Sequence, residues 1–184
     1  IFLIILFKKG SYVVQDFRRI MPILNSPRET LDYGKKIAAK LKGGDILLLY
    51  GELGAGKTTL VKGIANGLGI KNKITSPTFT LMNIYEVKSQ KSKVKSFVHI
   101  DTYRLKDEKE LVEIGAEDYL GEPDTICVIE WPEKIANLLK NADFASAKSS
   151  IRDSAAKQNR DKMIAIHLKH GAKDNQRKVL VSKN

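Results

Sequence analysis

Gly51-Glu52-Leu53-Gly54-Ala55-Gly56-Lys57-Thr58, followed by Thr59, is the stretch that decides the fold. It fits the phosphate-binding pattern G-x-x-x-x-G-K-[ST] at every fixed position. The flanks are those the pattern needs. Asp45-Ile46-Leu47-Leu48-Leu49-Tyr50 is a short apolar run that reads as a buried strand. Thr59 to Leu68 reads as a helix, with Gly69 as its cap. The glycines let successive backbone N–H groups converge on phosphates, and the helix N-terminus adds its dipole. Lys57 can reach the β- and γ-phosphates, and the Thr58 hydroxyl can hold Mg²⁺. In a chain of this length the bare pattern arises by accident less than about 1 % of the time. All nine residues are candidates for nucleotide contact.

The chain has 184 residues, enough for one domain with a real core. Its 42 % hydrophobic and 29 % charged content is that of a soluble globular protein. The single cysteine, Cys127, excludes an internal disulfide and a zinc cluster, and a cytoplasmic location follows as the expectation. Cys127 lies in an apolar run and reads as a buried thiol. The net charge of +11 could be a footprint for nucleic acid. Yet the lysines are spread along the chain among Asp and Glu, with no compact basic run, so contact with an RNA-bearing complex is favoured over direct, strong binding.

Ile1 to Phe7 is apolar, but seven residues are too few to span a membrane. The first methionine is Met21, and residues 1–20 are expected to lie outside a core domain of residues 21–184; an extra edge strand is the alternative. Ser26, Pro27 and Glu29 read as N-cap, first turn and capping box of a helix that runs to Leu41 and stops at Gly43-Gly44.

Beyond the phosphate-loop helix, Ser76-Pro77-Thr78 makes a turn. Residues 80–86 and 94–100 read as two strands around a polar tip, an antiparallel hairpin where a plain doubly wound sheet would return a parallel strand. Asp101 closes the second strand. Open α/β sheets bind ligands at strand C-termini, so Asp101 is placed for magnesium or an attacking water; a cap or turn aspartate is the alternative. His99 reads as a strand histidine and not as a base. Asp107 to Tyr119 reads as a helix. Thr125 to Glu130 is the next buried strand, and Pro132 opens another helix. A carboxylate such as Glu130, closing an apolar strand, needs a cation partner, either magnesium or a lysine. Residues 141–160 show poor periodicity and read as a mobile connection. Lys162 to Leu168 and Val179 to Val181 are the closing strands, the second very short.

Four motifs together, 51–59, Ser76-Pro77-Thr78-Phe79-Thr80-Leu81, His99-Ile100-Asp101-Thr102-Tyr103-Arg104-Leu105 and Ile129-Glu130-Trp131-Pro132, resemble the TsaE family, the ATPase of bacterial tRNA threonylcarbamoyladenosine biosynthesis. The resemblance covers roughly residues 26–140. It implies a P-loop α/β domain with a partly antiparallel sheet that binds and hydrolyses ATP with Mg²⁺. It also implies docking on a TsaD–TsaB pair that modifies adenosine 37 of tRNA, with hydrolysis driving turnover of the assembly. The resemblance makes Lys57 a phosphate contact, Thr58 and Glu130 the Mg²⁺ ligands and Asp101 an essential acid near the γ-phosphate. Ser76 and Thr78 become parts of a phosphate-sensing switch, and Arg160 a basic residue near the nucleotide. Residues 1–20 have no counterpart in the family, and 141–160 departs from its usual strand.

Asn72-Lys73-Ile74-Thr75 lacks the final Asp of a guanine-reading motif, which favours ATP over GTP. No arginine finger is evident. Two other classes remain as alternatives, a nucleotide-gated binding module and a P-loop small-molecule kinase. The second needs an Arg-rich lid, whereas Arg28, Arg104, Arg152, Arg160 and Arg177 are scattered.

Overall fold

The computed structural model describes residues 5–8, 11–14, 22–88, 93–140 and 162–183. β1 (Ile5–Lys8) and β2 (Ser11–Val14) pair antiparallel as a two-stranded sheet of their own. β3 (Ile23–Leu24) leads into α1 (Pro27–Ala38), β4 (Ile46–Tyr50) and α2 (Lys57–Gly67). The hairpin β5 (Met82–Glu86) and β6 (Ser96–Asp101) follows. Next come α3 (Lys109–Glu113), β7 (Thr125–Glu130) and α4 (Ala136–Lys140), and then the closing hairpin β8 (Met163–His170) and β9 (Arg177–Lys183).

Seven strands form one sheet in the order β3-β9-β8-β4-β7-β6-β5. The central four, β8, β4, β7 and β6, are parallel, and antiparallel strands flank them at both sides. This is a mixed α/β sheet with an antiparallel hairpin after the phosphate-loop helix. The apolar runs of β4 and β7 are continuous because both faces of the sheet are covered. Leu47, Leu49, Ile126, Val128, Ile164 and Ile166 pack with Leu60, Val61 and Ile64 of α2. Ile46, Leu48, Cys127, Ile129 and Met163 pack on the other side with Leu111, Ile135 and Leu139. The side chains alternate by the period of a strand.

Ser26 caps α1, its Oγ accepting the Glu29 N–H at 3.1 Å. The Glu29 carboxylate reaches back one residue further than a capping box requires, accepting the Asn25 N–H at 2.8 Å. α1 ends at Ala38, before the glycine pair expected to stop it. α2 closes as a Schellman turn, with Gly69 at φ 81° and the Ile70 N–H on the Ala65 carbonyl.

Two helices read as continuous are broken. Gly115, at φ 71°, divides the 107–119 segment into α3 and a 3-10 turn at Ala116–Asp118. After Glu130 the chain turns through Trp131 at φ 61°, and Pro132–Ile135 is 3-10 before α4 begins. β9 is seven residues long and not very short, because it pairs with β8 from Ile164 to His170 and with β3 on its other edge. β3 itself carries no sequence signal, being two residues long.

Candidate nucleotide site

β4, β7 and β6 are parallel and in register, so Leu49, Glu130 and Asp101 share one rung at the C-terminal end of the sheet. The phosphate loop springs from β4 one residue later. Topology alone therefore brings loop, glutamate and aspartate together, as expected for ligand sites at strand C-termini in open α/β sheets. Gly51 must be glycine here: at φ 144° it also turns so close that a Cβ would run into the Leu168 carbonyl. Gly56 sits at φ 96° immediately before the first residue of α2.

A cleft of about 580 Å³ opens above this rung. It is lined by Leu53, Gly54, Gly56, Lys57, Thr58 and Thr59 of the loop, with Ser76, Thr78, Asp101 and Glu130 opposite, joined by Tyr103, Arg104 and Trp131. Gly51 and Glu52 do not line it; they line a neighbouring pocket with Tyr50 and His167, and their carbonyls accept from Lys57 Nζ at 2.6 and 3.0 Å. Ala55, within the loop, is fully buried. Arg160 lies outside the described residues.

Lys57 is buried, its ammonium 3.7 Å from the centre of the Trp131 ring. Burial pushes its pKa below the usual lysine range, against the opposing pull of Glu130, Asp101 and Glu133. Tyr103 also packs on the indole, tilted, with ring centres 5.1 Å apart. Trp131 is held in its left-handed conformation by its own N–H on the Leu49 carbonyl and by the Thr102 hydroxyl on its carbonyl at 2.6 Å. Such a backbone in a bulky residue costs of order 1–3 kcal/mol and is kept only where the surroundings fix it.

The Thr58 hydroxyl donates to Glu130 Oε1 at 2.9 Å and lies 3.2 Å from Oε2. Glu130 is 3 % exposed, and among the described residues no lysine or arginine forms a salt bridge with it; His99 Nε2 lies 2.9 Å from its Oε1. A buried carboxylate and a hydroxyl, both hard oxygen donors, suit Mg²⁺, which keeps several waters and uses phosphate oxygens for the rest.

Asp101 is tied on both oxygens. Ser76 and Thr78 hydroxyls donate to Oδ2 at 2.7 and 2.6 Å, and the Tyr103 N–H donates to Oδ1 at 3.0 Å. The turn carrying the two hydroxyls ends at Leu81, at φ 62°, whose carbonyl accepts the Asp101 N–H. At the rim, Phe79 is 81 % exposed, with the Arg104 guanidinium 4.1 Å from its ring centre.

Two side chains at the site escaped the sequence reading. His99 looked like an ordinary strand histidine, and nothing in the sequence shows that residues 99 and 130 meet. Arg177, one of the scattered arginines, opens β9 and donates from Nη2 to the Gly54 carbonyl at 3.0 Å, bracing the loop from the side of the closing hairpin.

The strand–loop–helix and the mixed sheet around it define a P-loop nucleotide-binding fold. The family model for the threonylcarbamoyl adenosine biosynthesis protein TsaE matches residues 24–164, and the chain belongs to that family. The tRNA threonylcarbamoyladenosine biosynthesis protein TsaE of Treponema pallidum is 38 % identical over 117 residues, 64 % of this chain and 82 % of the relative. That of Haemophilus influenzae is 42 % identical over 119 residues, 62 % of this chain and 72 % of the relative. A crystal structure of Bacillus subtilis YdiB shares the fold, with a TM-score of 0.55 at 24 % identity, over 89 % of this chain and 84 % of that one. Among the described residues no helix is long and apolar enough to cross a membrane.

Proposed function

We propose that the chain is the ATP-hydrolysing subunit of tRNA N6-threonylcarbamoyladenosine formation at A37. It acts in the cytoplasm on a TsaD–TsaB complex, reaches tRNA through that complex, and permits repeated turnover. The observation that carries the reading is the meeting of the Thr58 hydroxyl with the buried Glu130 carboxylate at the mouth of the phosphate loop, in a chain of this family.

In this reading Lys57 leaves the Gly51 and Glu52 carbonyls for the β- and γ-phosphates. The loop N–H groups and the start of α2 cradle the phosphate chain. Thr58 and Glu130 would hold Mg²⁺, which would supply charge neutralisation to the bound phosphates. Asp101, fixed by Ser76, Thr78 and the Tyr103 N–H, orients the water for in-line attack. Positioning and charge account for the rate, as in phosphoryl transfer generally. Among the described residues one arginine, Arg104, lines the cleft, and it stacks on Phe79 at the rim. Intrinsic turnover is then slow and the partner completes the site.

The test is ATPase rate against increasing TsaD–TsaB. Stimulation that saturates near a fixed ratio is expected; no stimulation at any ratio counts against the reading. The same geometry favours a second reading, a nucleotide-gated binding module, because three donors hold Asp101 as a sensor would be held. A Glu130→Ala variant that binds ATP, does not hydrolyse it and still sustains repeated rounds of modification selects that reading.

A further inference from the structure

His99 is fully buried, and it sits two residues before Asp101 on β6, so both side chains point to the same face of the sheet. That face carries Glu130 and α2. His99 Nε2 lies 2.9 Å from Glu130 Oε1, while its Nδ1, equally buried, has no hydrogen-bond partner among the described residues. This asymmetry favours one tautomer. A proton on Nδ1 would bury an N–H with nothing to accept it and would turn a bare nitrogen lone pair toward a carboxylate. A proton on Nε2 makes a hydrogen bond and leaves only an unfilled lone pair.

We propose that His99 is a positioning residue: its Nε2–H sets the rotation of the Glu130 carboxylate for the cation that Thr58 and Glu130 hold. The terminal torsion of a glutamate is broad and two-fold, so a carboxylate needs outside partners to fix its plane. Here Oε1 takes the His99 N–H and the shorter Thr58 contact, and Oε2 takes only the longer one. Oε2 is therefore the oxygen left with lone pairs to spare. A lysine or arginine in the place of His99 would also orient the carboxylate, but it would compete with the metal for the charge. An imidazole N–H orients through one hydrogen bond. Removing an outer partner of this kind lowers metal affinity about 10- to 100-fold.

The inference rests on the nucleotide-binding reading above, and its test separates the two. Long-range proton–nitrogen NMR on the wild-type chain, which has three histidines, reads the tautomer directly. The proton is expected on Nε2 of His99; a proton on Nδ1 overturns the proposal without any variant having to fold. Mn²⁺ affinity is then measured by electron paramagnetic resonance on the ADP complex, and ADP affinity in EDTA. His99→Leu is expected to weaken Mn²⁺ about 10- to 100-fold while leaving metal-free ADP binding unchanged. His99→Gln, whose amide N–H can replace the donor, is expected to recover most of the loss. Equal Mn²⁺ affinity in His99→Leu and wild type overturns the proposal, as does a parallel fall in metal-free ADP binding, which would mark a general packing defect. Absence of Mn²⁺–ADP binding by the wild-type chain overturns the functional reading and this inference with it.

Discussion

Lys57 and Trp131 are stacked, the lysine ammonium 3.7 Å from the centre of the indole ring. Trp131 is the only tryptophan in the chain. Phosphates entering the loop compete for Lys57 with the Gly51 and Glu52 carbonyls and with the ring. The intrinsic fluorescence of Trp131 is therefore expected to change on ADP or ATP binding and to saturate with it. Lys57→Ala should abolish the response. A saturating response of full amplitude in that variant would separate the tryptophan from the phosphate loop.

Burial holds the Lys57 pKa below its unfolded value. The sign follows: the unfolded chain binds the extra proton, so at neutral pH this lysine weighs against the folded state, and the penalty fades as pH rises toward the ordinary lysine value. Lys57→Met should lose nucleotide binding and yet melt at the same or a higher temperature at pH 7, with the difference shrinking toward pH 10. Thermal denaturation at several pH values checks it; a lower melting temperature at pH 7 contradicts it.

Asp101 is held by three donors and borders the cleft beside Glu130. Asp101→Asn keeps the size and loses the charge and one acceptor. ATP affinity should stay within a few-fold while hydrolysis falls about 100-fold or more, the scale of losing one acid–base group. Unchanged hydrolysis would reduce Asp101 to a structural turn residue.

α1 and α2 cross at glycines. A Cβ on Gly34 would lie 2.6 Å from the Leu60 carbonyl, and one on Gly63 would run into the Leu31 backbone. Backbone cannot step aside as a side chain can, so Gly63→Ala should destabilise by about 3 kcal/mol, the upper range of overpacking. Chemical denaturation measures it. Because α2 begins at the phosphate loop, nucleotide affinity should fall in the same variant.

Cys127 is fully buried in β7, and burial pushes its thiol up to about 12. The thiolate is the reactive form, so the folded protein should not react with a disulfide reagent at pH 8, and one thiol should appear on denaturation. Rapid reaction of the native chain would show that β7 opens.

The phosphate loop, the carboxylates closing β6 and β7, and the hairpin after α2 were legible because each rests on a local pattern: a glycine spacing, or an apolar run with an acid at its end. The resemblance of four motifs then joined them to one family. What was not legible depends on register. Leu49, Glu130 and Asp101 share a rung only because three strands align, and His99 acquires a partner only through that alignment. Arg177 reaches the loop because β9 pairs with β8 as far as His170. Gly115 broke a helix whose apolar spacing looked continuous, since periodicity does not report a left-handed residue.

If nucleotide held between the phosphate loop and Glu130 sustains tRNA modification, repeated rounds of modification should need both. The most direct measurement is threonylcarbamoyladenosine formation under multiple-turnover conditions, with TsaD, TsaB, tRNA and threonylcarbamoyl-adenylate supplied. The chain would be present, absent, or carry Lys57→Ala or Glu130→Ala. Repeated turnover with wild type alone is the result predicted. Equal turnover with both variants, or none with wild type, would contradict it.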